Sequence, residues 1–279
     1  MRPHKIRWLL MAGLLLASCP LLAQEAPPPQ APPAPAKEAA PAPEPDPRQV
    51  LQKMCEFLKS QDQFVFKAEV TEDQVYYGGK KLQVGLDMEF LVRRPDHVRV
   101  NAEGDLVNKE FYYDGKTITL FDKNQNVYAT MAAPPDIEDA LHKANQDFGL
   151  RVALTDLASP KLCELLDRHI KHALYVGVHK VRGIPCHHLS FDSGAAQLQL
   201  WVDAGDTPVP RKIILTHKEL ACSPQWSAVL SDWNFAPQFE DSMFAFTPPE
   251  GAEKIEFLPV KAAKIPKSPP EKKQGGKER

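Results

Sequence analysis

The sequence lacks the excess of one charge that nucleic-acid-binding proteins carry. Its 34 lysine and arginine residues nearly balance 36 aspartate and glutamate residues, for a net charge of −2. Because a nucleic-acid partner requires a concentrated basic face, no such partner is expected. After the first two dozen residues the sequence also lacks an apolar run of the roughly 20 residues that a membrane-crossing helix needs. No membrane-spanning segment is therefore expected in the main body of the chain.

Familiar catalytic and metal-binding motifs are missing as well. The sequence contains no GxSxG, HExxH or P-loop motif, and its cysteines include no CxxC pair of the kind that binds zinc. His187 and His188 lie on one predicted strand and would point to opposite faces, so they cannot bind one metal ion together. We therefore expect no enzyme, no catalytic residue, no metal site and no cofactor.

The N-terminus has the pattern of an export signal. Arg2, Lys5 and Arg7 precede an apolar run at residues 8–17, which matches the charged and hydrophobic regions of a signal peptide. At about ten residues the run is too short to remain in a membrane as a spanning helix. The protein is therefore predicted to be exported to a bacterial periplasm.

Two positions for cleavage of this signal compete. Cleavage after Ala23 would make residues 1–23 the signal peptide and leave a soluble periplasmic protein. Residues 16–19 also resemble a lipobox, in which Cys19 would be lipidated and would anchor the protein to a membrane. We favour Ala23, because residues 20–22 continue the apolar stretch beyond Cys19.

Segments without large apolar side chains flank one domain. Residues 24–47 are rich in alanine and proline, so they cannot bury a core and are predicted to form an extended, disordered spacer. Residues 259–279 are rich in lysine and proline and are predicted to form a disordered basic tail, either solubilising or weakly attracted to an anionic envelope surface. Residues 48–258 have the length of a single domain.

Hydrophobic periodicity within this domain predicts an α+β fold. Apolar residues alternate with polar ones at 64–70 and 82–92, and a hairpin signal separates the two runs. Such alternation is typical of an antiparallel sheet with one buried face. Apolar residues recur at helical spacing near 47–60, 134–148 and 160–170. We therefore predict one large curved antiparallel sheet with helices covering its concave face, and a closing strand near 244–249.

Four cysteines remain after removal of the signal, and the compartment favours disulfides. Cys186 and Cys222 lie in the same C-terminal strand region, so they are the first predicted pair. Cys55 and Cys163 lie on predicted helices and form the second. Four cysteines allow three pairings, and the sequence alone does not choose between them.

Several short motifs carry a family resemblance. They include Tyr113-Asp114-Gly115-Lys116, the segments 183–191 and 224–234, and the ending at 244–252. Together they closely resemble domain-of-unknown-function family 2092, a family of predicted periplasmic proteins without an established activity. The family tends to have Cys-Asp-His where this chain has Cys186-His187-His188. The resemblance implies a fold similar to that of the lipoprotein carriers LolA and LolB, an incomplete barrel closed by helices.

A half-barrel with a helical cover would hold an apolar cleft between its two layers. Such a cleft suits a non-catalytic carrier or sensor that binds a lipid, an acyl chain or a lipoprotein. The alternative is a filled barrel without a ligand, which would act as an interaction or scaffolding module for an envelope protein partner. The residues predicted to line the cleft are Phe66, Leu86, Met88, Phe90, Tyr113, Leu120, Met131, Leu200, Trp201 and Leu215.

Overall fold

The computed structural model describes residues 44–260. The predicted signal peptide, the candidate lipidation site Cys19, most of the spacer and nearly all of the basic tail lie outside the described residues. Within them, one sheet contains twelve strands. The strands are β1 Gln63–Val75, β2 Lys81–Arg93, β3 His97–Gly104, β4 Asn108–Asp114, β5 Thr117–Asp122, β6 Val127–Ala132, β7 His172–Val181, β8 Ile184–Asp192, β9 Ala196–Asp203, β10 Pro210–His217, β11 Gln225–Asn234 and β12 Glu253–Ile255.

The sheet consists of two meanders joined through one long-range pairing. The strand order is β12-β6-β5-β4-β3-β2-β1-β11-β10-β9-β8-β7, so β1 and β11 join the N-terminal and C-terminal halves. The two ends of the sheet, β12 and β7, do not pair with each other, and the barrel is open. The structure thus confirms the predicted α+β half-barrel.

Alternating burial explains why the sheet has one apolar face. In β1, Phe64, Phe66, Ala68 and Val70 are buried, while the residues between them are more exposed. The predicted hairpin after β1 is present, with Gly78 and Gly79 at positive φ angles of 79° and 77°. Positive φ angles favour glycine in such turns.

Three α-helices lie within the described chain: α1 Pro47–Lys59, α2 Ile137–Phe148 and α3 Leu162–Asp167. The side chain of Asp46 caps α1 by accepting a hydrogen bond from the backbone N–H of Arg48 at 2.9 Å. The apolar face of α1 packs on β7, β8 and β9. Asp136 caps α2 in the same way, and the N–H of Ile137 donates to the carbonyl of Pro95 next to β3 at 2.9 Å. The helices thus cover the concave face of the sheet.

The disulfide of the structure is the second of the two predicted pairs. Cys55 on α1 and Cys163 on α3 are bonded, with their Cα atoms 5.7 Å apart. The first predicted pair was wrong, because Cys186 and Cys222 are both free thiols.

Strand register explains the error. Cys186 pairs with Asp203 at one end of β9, whereas Cys222 follows His217, which pairs with Ala196 at the other end. At about 3.3 Å per residue these ends are about 23 Å apart, and a disulfide requires Cα atoms within about 7 Å.

The C-terminal segment differs from its prediction. Residues 244–249 form no strand, and the last strand, β12, instead pairs in parallel with β6. The sheet is therefore mixed rather than purely antiparallel. Residues 239–246, which we call the C-terminal strap, cross the outer face of the N-terminal meander. The ring of Phe246 packs near Tyr112, Phe121 and Tyr128 at centroid distances of 5.3, 5.5 and 5.0 Å.

Candidate functional site on the concave face of the sheet

The concave face carries nearly all of the residues predicted to line a ligand cleft. Leu86 and Leu120 are partly buried against the main core, and Leu215 is half-buried on the same face of the sheet, opposite Leu198 of β9. The other predicted residues that lie on this face are fully buried in the main core: Phe66, Met88, Phe90, Tyr113, Met131 and Leu200.

Stacked aromatic rings fill the middle of the concave face. The ring of Phe66 lies between Phe90 and Trp233, at centroid distances of 4.4 and 4.5 Å and interplanar angles of 3° and 17°. Trp233 turns inward because Asp232 has a positive φ of 54° and the pairing of β1 with β11 shifts register nearby. These ring contacts make this part of the interior a packed core. Each aromatic pair contributes about 0.5–1.5 kcal/mol in addition to the burial of its surface area.

Trp201 was predicted to line the cleft, and this was wrong. Leu200 and Val202 belong to the main core, so Trp201 between them points to the outer face. There its ring stacks on His188 with centroids 3.9 Å apart. The alternation in β9 itself indicates this orientation, because its one apolar face carries Ala196, Leu198, Leu200 and Val202, while the residues that share a face with Trp201 are polar. The prediction had placed two consecutive strand residues, Leu200 and Trp201, on the same face.

Arg94 at the end of β2 binds backbone carbonyl groups from three parts of the chain. Its Nε donates to the carbonyl oxygen of Ala158 at 2.8 Å, and its Nη1 donates to that of Leu58 at 2.7 Å. The same guanidinium donates to the carbonyl oxygens of Gln61 and Leu157. These acceptors lie at the end of α1, in the loop before β1 and in the short 3-10 helix Thr155–Ala158 between α2 and α3. Arg94 thus fastens the helical cover to the sheet.

We call the hydrogen bonds from Arg94 to these carbonyl groups the Arg94 latch. The surroundings of Arg94 make the latch depend on its carbonyl acceptors. Burial lowers the pKa of the guanidinium, and the charge of Asp62 opposes this shift. Arginine nevertheless stays charged in proteins. Its guanidinium carbon lies 5.2 Å from the ring centroid of Phe64, and within residues 44–260 it forms no ion pair with a carboxylate. The carbonyl dipoles therefore provide most of its stabilisation.

A second polar tie holds the segment before α2. The hydroxyl of the buried Tyr113 on β4 donates to the carbonyl oxygen of Pro134. Burial raises the pKa of this tyrosine, so it remains a hydrogen-bond donor at neutral pH. The hydrogen bond fixes the segment that leads into α2 against β4.

The two longer helices differ in what they bury. The buried residues of α2 are Ile137, Ala140 and Ala144, while α1 buries several larger side chains and is bonded to α3 by the disulfide. Leu141 and Phe148 of α2 also pack against the main core, although they are only partly buried. Since smaller and less buried apolar side chains lose less on exposure to water, exposing α2 costs less than exposing α1.

His187 and His188 point to opposite faces of β8, as predicted. His187 Nδ1 lies 3.0 Å from the hydroxyl of Tyr175 on the inner side, and His188 Nδ1 lies 3.0 Å from His179 Nδ1 on the outer side. Burial lowers the pKa of both histidines. Between residues 44 and 260, no three histidine, cysteine, aspartate or glutamate side chains are grouped to hold a metal ion.

Two surface grooves lie outside the sheet–helix interface. One, of about 390 Å³, is lined among others by Asp73, His217 and Trp226, where β1 and β10 end and β11 begins. The other, of about 450 Å³, is on the outer face around Trp201 and Lys212. Over the part of the chain that the structure describes, no helix is both long enough and apolar enough to cross a bilayer.

The fold and site together define an α+β half-barrel protein whose apolar concave face is closed by helices and fastened by one arginine. The chain belongs to the family "Predicted periplasmic protein (DUF2092)", whose family model matches residues 48–258. This membership confirms the resemblance found in the sequence and assigns the protein to the periplasm.

Several solved structures are similar to this chain. LprF from Mycobacterium bovis matches with a TM-score of 0.43 at 15% identity, over 75% of this chain and 99% of that one. The LolA superfamily protein NE2245 from Nitrosomonas europaea matches with a TM-score of 0.37 at 12% identity, over 72% and 98%. The MucA/MucB complex of Pseudomonas aeruginosa matches with a TM-score of 0.40 at 18% identity, over 72% and 62%. No curated protein sequence matches this chain.

Proposed function

We propose that this protein is a non-catalytic periplasmic carrier or sensor that binds the acyl chain of a lipid or lipoprotein beneath its helical cover. The observation that carries the proposal is the Arg94 latch. One side chain at the end of β2 joins the sheet to the helical cover through hydrogen bonds to backbone carbonyls at the end of α1 and in the 3-10 helix. Such bonds can pass to water when the cover lifts, whereas a tightly packed apolar contact cannot be replaced in this way.

The energies of opening and filling are compatible with this role. Hydrogen bonds to a charged group contribute about 1.5–3 kcal/mol each, and water compensates for part of this on opening. Burying one methylene group gains about 0.8 kcal/mol, so a chain of about twelve carbons would gain about 10 kcal/mol. An acyl chain can therefore offset the loss of the latch and the rearrangement of Phe66 and Trp233.

The test removes the latch by the substitution Arg94→Leu and measures binding of a fluorescent fatty acid. Without the latch the open, binding-competent state is more populated, and apparent affinity rises in proportion to that population. We expect Arg94→Leu to tighten acyl binding about tenfold or more. Arg94→Lys should have a smaller effect, because lysine keeps the charge but lacks the planar guanidinium that donates to several carbonyls at once.

The neighbouring arginine provides a matched control. Arg93 faces outward, where it pairs with Asp241 of the C-terminal strap at 2.8 Å and lies over the ring of Phe244. The Arg93→Leu variant should bind the fatty acid as the wild type does. If the wild type binds no fatty acid and native mass spectrometry of the periplasmic protein finds no bound lipid, the carrier proposal is wrong.

The packed aromatic interior favours a second candidate function. If the stack of Phe66, Phe90 and Trp233 never opens, the domain is a filled barrel that serves as an interaction module for an envelope protein. In that case the Arg94→Leu variant loses stability without gaining any acyl binding, and deletion of the spacer or the basic tail removes partners from a pull-down.

A further inference from the structure

The outer face of the C-terminal meander has a groove of about 450 Å³. The C-terminal strap covers the outer face of the N-terminal meander, around Tyr112 and Tyr128, and it leaves the outer face of β7–β10 uncovered. The floor of the groove is apolar, and its rim carries most of the charge. The lining residues are His179, Lys180, Val181, Arg182, His188, Trp201, Lys212 and Val229.

Strand register brings the floor and the rim together. Trp201 on β9 pairs with His188 of β8 on one side and with Lys212 of β10 on the other, so all three side chains point outward. The Lys212 Nζ lies 5.0 Å from the Trp201 ring centroid. These side chains are therefore held in place by the sheet rather than by a mobile loop.

A tight turn adds one more cation at the rim. Arg182 and Gly183 occupy the centre of the β7–β8 hairpin, with positive φ angles of 49° and 84°. Two successive positive φ angles define the type I′ turn that fits the twist of a hairpin. This turn holds Arg182 at the end of the groove. Lys180 is not a second cation of this kind, because it lies between the outward-facing residues His179 and Val181 and starts from the other face of the strand.

The charges in the groove are mostly positive. Arg182 pairs with Glu69 of β1, whereas Lys212 forms no ion pair with any carboxylate of residues 44–260. The pKa of His188 is lowered first by its burial and further by the charges of His179 and Lys212. Two cations thus flank one apolar floor, and of these only Arg182 has a carboxylate partner.

We propose that this groove binds a phosphate-type anionic head group, held by Arg182 and Lys212 above the apolar floor of Trp201 and Val181. A phosphate has three acceptor oxygens and about two negative charges, so it can use several converging donors, whereas a carboxylate is satisfied by a single fork. The volume lies within the range of small-ligand sites. The head group can belong to a lipid or to a free phosphate compound.

This site is separate from the acyl site under the helices. It lies on the other face of the sheet, and none of its lining residues contacts Arg94. Anion binding here can therefore succeed or fail independently of the proposed carrier function.

The experiment measures binding to the full mature protein by isothermal titration calorimetry with three probes. Octyl phosphate carries the head group and a tail, inorganic phosphate carries the head group alone, and octyl glucoside carries the tail with an uncharged head. We expect octyl phosphate to bind, octyl glucoside not to bind, and the affinity for octyl phosphate to fall as salt is added. If inorganic phosphate binds as tightly as octyl phosphate, the ligand is a free phosphate compound. If inorganic phosphate binds more weakly, the ligand is a lipid head group.

Charge-removing variants locate the binding site. Lys212→Gln and Arg182→Gln should each weaken octyl phosphate binding about tenfold, and the double variant should weaken it further. Lys67→Gln is the control, since Lys67 lies between the buried Phe66 and Ala68 on β1, faces outward and is not a lining residue of the groove. Like Arg182, Lys67 has a carboxylate partner. Thermal melting of each variant verifies its folding.

Three outcomes would overturn the proposal. One is equal binding of octyl glucoside and octyl phosphate, which would reveal a merely apolar surface. Another is unchanged affinity in both Lys212→Gln and Arg182→Gln. The third is an octyl phosphate affinity that responds to Arg94→Leu but not to Lys212→Gln, which would place the ligand beneath the helices and support the carrier function instead.

Discussion

Removing the disulfide between α1 and α3 should lower the stability of the domain by an amount that the chain separation sets. Cys55 and Cys163 are 108 residues apart in sequence. In the chain-entropy description, a cross-link closing a loop of about 100 residues restricts the unfolded chain by about 4.7 kcal/mol. Measured losses are usually about 2–4 kcal/mol, because strain in the folded state and residual structure in the unfolded state reduce the effect.

The perturbation is the double substitution Cys55→Ala with Cys163→Ala, which also avoids a new polar group at the buried Cys55. In a domain of this size, 1 kcal/mol corresponds to about 2–4 °C in Tm, so the expected decrease in Tm is about 4–16 °C. Thermal melting followed by circular dichroism measures it. A reducing agent should bring the wild type down to the melting temperature of the variant and leave the variant itself unchanged.

Cys222→Ser is the control, because Cys222 is an exposed free thiol. Its melting temperature and its response to the reducing agent should equal those of the wild type. If Cys222→Ser abolishes the response to reduction, or if the double variant melts within about 1 °C of the wild type, the pairing of Cys55 with Cys163 is refuted.

Two further predictions concern the core and pH. Phe66→Ala should lower the free energy of unfolding by about 3–5 kcal/mol, the usual range for a buried phenylalanine. Leu174→Ser, at an exposed position on the edge strand β7, should change it by less than about 0.5 kcal/mol. Chemical unfolding measures both free energies. Burial lowers the pKa of His187 and His188, so as pH falls through the ordinary value of 6.5 the unfolded state takes up these protons first and stability decreases. His188→Gln should reduce this decrease between pH 7 and 5, and an unchanged pH dependence would contradict the reasoning.

The sequence was sufficient for the local structure and for the family. The alternation in β1 and β2 and the caps at Asp46 and Asp136 act within a few residues, so the order of helices and strands up to β11 followed from pattern, whereas the position of the last strand, β12, did not. The same alternation indicated correctly that Phe66 and Phe90 share one buried face.

Features that depend on distant residues were not available to the sequence. The acceptors of Arg94 are 33 to 64 positions away, at Gln61 and Leu58 on one side and at Leu157 and Ala158 on the other. No spacing rule joins an arginine to backbone carbonyls at such separations. In the sequence Arg94 is therefore only the first residue of an Arg-Pro turn.

The sequence by itself determined that this chain folds as helices on a large sheet and that it belongs to a family of periplasmic proteins. Only the tertiary structure decided which two cysteines meet, which backbone carbonyls Arg94 binds, and that aromatic rings fill the concave face. The physical reason is that these contacts join residues far apart in sequence, and strand register and helix packing set their distances, whereas local pattern does not. Register likewise places Trp201, on the mainly polar face of β9, beside Lys212.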